Sequence, residues 1–270
     1  MKFNTLFTLT TFIGHLAAIP TYHNSDFSHV GISSLPYDKQ IISACTEPNT
    51  VGLAFDDGPH IYTDQLLDLL HQYGAKATFF VNGVNYGHQI DSYKSVLQRE
   101  VKDGHQIASH TWDHKWELDK ASNETIMWEM TTLDDKLDDL IGLRPTYMRP
   151  PNLATSERML DVLKDYHVIT TNLNTDDSGG NLDWSKSCFD DGLEEGGSLI
   201  LAHDTKDIAI DLATYMLDML KEKNITGVTV GDCLGDPKEN WYRKAGDDFR
   251  DSFLLQNKEN PYEKYIKTGL

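Results

Sequence analysis

Val51-Gly52-Leu53-Ala54-Phe55-Asp56-Asp57-Gly58-Pro59 opens with five residues of apolar or small character and ends in two carboxylates and a turn. A short apolar run bounded by Gly-Pro reads as a strand buried on both faces, which belongs in a parallel sheet rather than at a solvated edge. Adjacent aspartates at a strand end point in different directions, so one can bind while the other moves a proton. Taken alone, Asp-Asp-Gly-Pro serves equally well as a helix cap or a plain turn.

The chain continues in alternation on either side of that strand. Further strands are expected at Ala77–Val81, His105–Ser109, Tyr147–Met148, His167–Thr171, Ser198–Ala202 and Gly227–Val230. Helices are expected at Asp64–Tyr73, Asp91–Lys102, from Ser122 to Gly142, at Ser156–Tyr166 and at Ile208–Glu222, each with apolar residues at helical spacing or a terminal glycine. Alternating strands and helices build a parallel sheet with helices outside. Seven such units are one short of a regular eightfold barrel, so an α/β fold is expected: a distorted (β/α) barrel of about seven parallel strands.

In such barrels the chemistry sits where strands end. Asp56 and Asp57 follow the first strand, His110 and His114 the third, Arg149 the fourth, Asp176 and Asp177 the fifth, and His203 and Asp204 the sixth. His110-Thr111-Trp112-Asp113-His114 places two imidazoles at i and i+4, which on one helical turn face a single ion. Alone that pair is a weak signal. Asp57 is the candidate third ligand, giving a two-histidine, one-carboxylate centre, with Asp56 as the group that takes a proton from water. His203, at the end of an apolar strand, is the candidate donor of a proton to a leaving amine.

Composition narrows the partners. Asp and Glu number 42 against 24 Lys and Arg, for a net charge of −18, which excludes nucleic acid and anionic membrane surfaces as expected partners. The 270 residues suit one large domain rather than two. Residues 1–18, with Lys2, an apolar run to Leu16 and then Ala17-Ala18, read as a secretory signal. Residues 19–44 read as a leader wrapping the domain, 45–235 as the catalytic domain, and 236–270 as a polar tail anchored by Trp241 and Phe249. A secreted monomer is expected, with Cys45 bridged to Cys233 across the two ends of the domain and Cys188 left over. Asn123-Glu124-Thr125 and Asn224-Ile225-Thr226 are glycosylation sequons.

Four stretches together, Ala54-Phe55-Asp56-Asp57-Gly58-Pro59, His110-Thr111-Trp112-Asp113-His114, Arg149-Pro150-Pro151-Asn152 and Leu201-Ala202-His203, resemble in order and spacing the motifs of the NodB-type polysaccharide deacetylases, carbohydrate esterase family four. Val228-Thr229-Val230-Gly231-Asp232-Cys233 further resembles the fungal chitin deacetylases of that family. The resemblance implies removal of N-acetyl groups from N-acetylglucosamine units of chitin or its oligomers, with Zn²⁺, Co²⁺ or another divalent metal. It implies Asp57, His110 and His114 as metal ligands, Asp56 as general base, Arg149 as the residue that orients Asp56, and His203 as general acid. Leu201 would line the acetyl-methyl pocket, and the backbone N–H of Asn152 would face the oxyanion. Asn152 stands where the family usually has Tyr, and Asn174-Thr175-Asp176-Asp177-Ser178 departs from an Asp-x-x-Asp-aromatic motif. Asp177, or Asp176 by a small shift, would then set the protonation of His203. Two alternatives follow from these departures: an O-deacetylase of acetylated xylan, and a weakly active member that binds chitin oligomers.

Overall fold

A computed structural model describes residues 39–114 and 117–243. Eight short strands form one parallel sheet: β1 (Ile41–Ile42), β2 (Ala54–Asp56), β3 (Thr78–Val81), β4 (Gln106–Ser109), β5 (Tyr147–Met148), β6 (His167–Ile169), β7 (Leu173–Asn174) and β8 (Ile200–His203). Their order is β1-β6-β5-β4-β3-β2-β8-β7, every neighbouring pair being parallel. This is the expected distorted (β/α) barrel, with one strand more than expected.

The corrections concern short elements. Ile41 and Ile42, assigned to the leader, pair with Val168 and Ile169 and form an edge strand. Leu173–Asn174 pairs with Ile200 and Leu201 but is two residues long, too short to show a period in sequence. The expected last strand is found at Thr226–Val228 but pairs with Thr50–Gly52 outside the eight-stranded sheet. A helix at Leu182–Glu194 lies where none was expected; Ser185 and Phe189 are its only fully buried residues, and Leu182 and Leu193 pack against the core only partly buried. Its signal was the cap: Asn181 accepts from the Trp184 N–H, and Asp183 lies in the first turn.

The other helices are α1 (Thr63–Tyr73), α2 (Lys94–Lys102), α3 (Asn123–Ile141), α4 (Glu157–Val162) and, after the helix just described (α5), α6 (Ala209–Glu222). Leu66, Leu67 and Leu70 of α1 and Leu133 and Leu137 of α3 are fully buried in the same core as Phe55 and Phe79 of the strands. Ser122 caps α3 at the Thr125 N–H, and Gly142 ends it in the left-handed region at φ 71°.

Cys45 and Cys233 form the expected disulfide, and Cys188 is free. Trp241 anchors the described part of the tail: it is 3% exposed, and its indole N–H donates to the Asp236 carbonyl at 3.1 Å. Gly231 makes room for that ring, since a Cβ there would stand 2.1 Å from the indole nitrogen. The signal segment, most of the leader and Phe249 lie outside the described residues. No helix among the described residues is long and apolar enough to cross a membrane.

Candidate active site

The strand ends converge as barrel geometry requires. Asp56 lies opposite His203 in the β2–β8 register and opposite Phe80 in the β2–β3 register. Asp57, one residue beyond the strand, takes φ 78°.

Asp57 Oδ1 stands 3.5 Å from His110 Nε2 and 3.6 Å from His114 Nε2. The three side chains offer ligand atoms all within 4.8 Å of one another. Two ligands at ordinary zinc bond lengths on tetrahedral corners lie about 3.3 Å apart, so this spacing fits one cation with little adjustment. Asp57 Oδ1 is also buried without a hydrogen-bond partner, a costly state that a cation would relieve. His110 Nδ1 lies 2.7 Å from the Arg149 carbonyl. A carbonyl only accepts, so Nδ1 carries the proton and Nε2 presents its lone pair. Burial, the largest influence, holds the His110 pKa below its ordinary value, against the pull of Asp56 and Asp57, and keeps the ring in its ligating form.

The two histidines do not sit on a helical turn, as the i, i+4 spacing suggested. Thr111 and His114 are left-handed, with φ of 73° and 55°, and the segment is a curled loop. The curl brings the rings together all the same, with centroids 4.9 Å apart.

Arg149 is fully buried. Its Nη1 donates to Asp56 Oδ1 at 2.7 Å, while Nη2 donates to the carbonyls of Thr170 and Ile200 at 3.0 and 3.1 Å. The guanidinium lies over the Phe80 ring, 4.4 Å from its centroid. Four anchors thus fix the arginine, and the arginine fixes one oxygen of Asp56. The other oxygen is 3.8 Å from His110 Nε2, beside the ligand cluster.

On the neighbouring strand β8, His203 Nε2 is 3.9 Å from Asp57 Oδ2. Its Nδ1 lies 2.7 Å from Asp177 Oδ1, and its backbone N–H donates to Asp177 Oδ2 at 2.8 Å. Burial works against a charged imidazole here, but the bond and charge of Asp177, reinforced by Asp56 and Asp57, raise the pKa to about 9. Asp177 is therefore the acid that reaches His203. Asp176 instead takes a hydrogen bond from the Trp184 indole at 2.7 Å.

Leu201 is two residues before His203 on β8, so the two side chains share a face. Asn152 is exposed, three residues beyond Arg149, with φ 55°. Asparagine tolerates that left-handed conformation better than most residues.

Tyr86 makes a contact at the site that no motif signals. The Tyr86 hydroxyl donates to Asp57 Oδ2 at 3.0 Å and accepts from Lys206 Nζ at 3.2 Å. Tyr86 sits in the turn of a hairpin over 84–89, far from every motif, and an isolated exposed Tyr carries no signal in sequence.

A parallel barrel with an acid–His–His cluster at its strand ends, flanked by a clamped carboxylate and a charged histidine, defines a hydrolase of the kind that works with a divalent cation. The model of the family described as polysaccharide deacetylase matches residues 43–170. A chitin deacetylase of Pestalotiopsis sp. is 44% identical over 220 residues, covering 79% of this chain and 73% of the relative. The chitin deacetylase of Colletotrichum lindemuthianum is 34% identical over 255 residues, covering 90% and 100%. Its solved structure superimposes with a TM-score of 0.73 at 36% identity, covering 76% of this chain and 96% of the other. Two longer relatives from Arthroderma benhamiae, a probable peptidoglycan-N-acetylglucosamine deacetylase and a chitin deacetylase, are 46% and 42% identical, and the chain spans 48% and 57% of their lengths. The chain belongs to the polysaccharide deacetylase family.

Proposed function

We propose that this protein is a divalent-metal-dependent N-deacetylase of chitin or chitin oligomers, releasing acetate and leaving free amines. The observation that carries this reading is that Asp56, held by Arg149, and His203, held by Asp177, both border the Asp57–His110–His114 cluster. The names of the fungal relatives support chitin as the polymer.

Asp57, His110 and His114 would hold the cation, and this carboxylate–imidazole set suits Zn²⁺, with Co²⁺ a workable substitute. When bound, such an ion acidifies water and polarises a carbonyl. Asp56 takes the proton of the attacking water through the oxygen that Arg149 leaves free. The new bond forms between the water oxygen and the acetamide carbon, and the backbone N–H of Asn152 donates to the developing oxyanion. His203 delivers its Nε2 proton to the sugar nitrogen as the C–N bond breaks, so the amine departs neutral. Leu201, on the His203 face, borders the acetyl methyl. Arg149 and Asp177 position the base and the acid. The signal-like start, the disulfide and the sequons support secretion and glycosylation, and the protein is read as a monomer acting on chitin or chitosan oligosaccharides.

The test is acetate release from N-acetylglucosamine oligomers, run beside acetylated xylan, after chelation and again with added Zn²⁺. Metal-dependent release from the chitin oligomers is expected. Release from acetylxylan alone would make the protein an O-deacetylase, and binding without release from either would make it a chitin-oligomer binder.

A further inference from the structure

The loop that carries His110 and His114 has two left-handed residues and no helix or strand to hold it. Its backbone is nonetheless held by hydrogen bonds from His110 to the Asp113 N–H. Asn82 Nδ2, beyond the end of β3, donates to the carbonyls of His110 and Thr111 at 2.5 and 3.0 Å. Glu129 Oε2, from α3, accepts the N–H groups of Trp112 and Asp113 at 2.9 and 3.1 Å. The Trp112 carbonyl accepts from the Val84 N–H at 2.7 Å. Asn82 is 3% exposed and Glu129 fully buried, so neither bond set competes with water.

Two further contacts make this arrangement specific to the ligands. The Asn82 backbone N–H donates to the Gly58 carbonyl at 3.0 Å, so the same residue touches the turn that carries Asp57. Gly83 has no side chain because the Trp112 ring occupies the space; a Cβ would stand 2.0 Å from that ring. Burial, with the charge of Asp113, pushes the Glu129 carboxyl up to about 8. Protonated or not, Oε2 remains an acceptor, so the contact does not depend on titration.

We propose that Asn82 and Glu129 are positioning residues of the metal centre, a two-sided clamp that presets His110, His114 and Asp57 for one divalent cation. Outer partners that orient ligands commonly change metal affinity by about 10–100-fold when removed. The clamp touches no reacting atom, so it acts on affinity through the ligands alone. The inference rests on the reading that Asp57, His110 and His114 bind a cation.

The experiment is competition for Zn²⁺ between the metal-stripped protein and a chromophoric chelator, with thermal unfolding of each stripped variant recorded in parallel. Glu129→Ala is expected to weaken Zn²⁺ binding by about tenfold or more. Glu129→Gln keeps an acceptor oxygen and is expected to restore affinity to within about threefold of the starting protein. Asn82→Leu, nearly isosteric and without the donor, is expected to match Glu129→Ala, and it decides the matter where Glu129→Ala does not fold. Asp134→Asn is the control. Asp134 is a buried carboxyl on the same helix engaged by Tyr166 and Arg243, so its loss should lower stability and leave Zn²⁺ affinity unchanged. Folded Glu129→Ala and Asn82→Leu proteins that bind Zn²⁺ as tightly as the starting protein would overturn the clamp alone. An unmodified protein that takes up no Zn²⁺ would overturn the underlying reading as well.

Discussion

Asp177 holds His203 twice, through the ring Nδ1 at 2.7 Å and through the backbone N–H at 2.8 Å. The pair of bonds fixes both the tautomer and the direction of Nε2, which faces the ligand cluster. It also keeps the ring charged up to a pKa of about 9, although burial opposes the charge. A group with a raised folded-state pKa keeps its contribution in full below its unfolded value near 6.5 and loses it as pH rises through about 9. Activity that needs protonated His203 should therefore decline on an alkaline limb near that pH. Asp177→Asn removes the charge and should draw the limb toward neutral pH, with kcat/KM at pH 8 falling by roughly 10–100-fold. A pH–rate profile of both proteins checks this, and an unmoved limb would remove His203 from the acid role.

Asp56 is clamped by a fully buried arginine, so it is tied to stability as well as to the reaction. Asp56→Asn should lower kcat by roughly 10²–10⁴-fold, the usual range for loss of a general base. It also leaves the Arg149 guanidinium buried without its countercharge, which commonly costs about 3–5 kcal/mol. Denaturant unfolding and steady-state kinetics on the same preparation should show both losses. A variant that stays stable and fully active would place the base elsewhere.

Why these two pairs were legible in sequence to different degrees follows from how each is built. Asp56, Asp57, His110, Arg149 and His203 stand at or next to the ends of strands whose apolar runs are visible, so barrel logic alone assembled them. Asp177 follows a two-residue strand that shows no period, and sequence left Asp176 as a rival until the Trp184 contact placed Asp176 elsewhere. The His110–His114 rings converge as the spacing suggested but on a different backbone, because two left-handed residues produce the same convergence as a helical turn. Tyr86, Asn82 and Glu129 reach the site from a hairpin, a strand end and a distant helix. Contacts of that kind are set by packing and leave no local pattern.

Asp57 Oδ1 has no partner of its own between two imidazole nitrogens. A ligand that binds only the folded protein stabilises it by about 2.7 kcal/mol at a hundred times its Kd. Added Zn²⁺ should accordingly raise the thermal midpoint of the metal-stripped protein, and Asp57→Ala should abolish the rise. A midpoint equally raised in Asp57→Ala would locate the stabilising ion outside this cluster.

Two buried histidines should weaken the fold as the pH falls. Burial, the main cause for each, lowers the pKa of His105 and of His167 to about 4. His105 Nδ1 accepts the Ala77 N–H at 3.1 Å, a bond that requires a lone pair at that nitrogen and is broken by protonation there. With folded values below the unfolded 6.5, their contribution is complete above about pH 6.5 and lost as pH falls toward 4. The loss should reach up to about 3 kcal/mol for each ring at pH 4, if the unfolded histidines titrate normally. Urea unfolding from pH 7.5 to 4.5 should show a steepening decline in stability, and His105→Gln should flatten its share because an amide oxygen accepts the same N–H without titrating. An unchanged slope in that variant would mean that the fold tolerates a charged His105, and the acid limit would then have to lie with other buried groups.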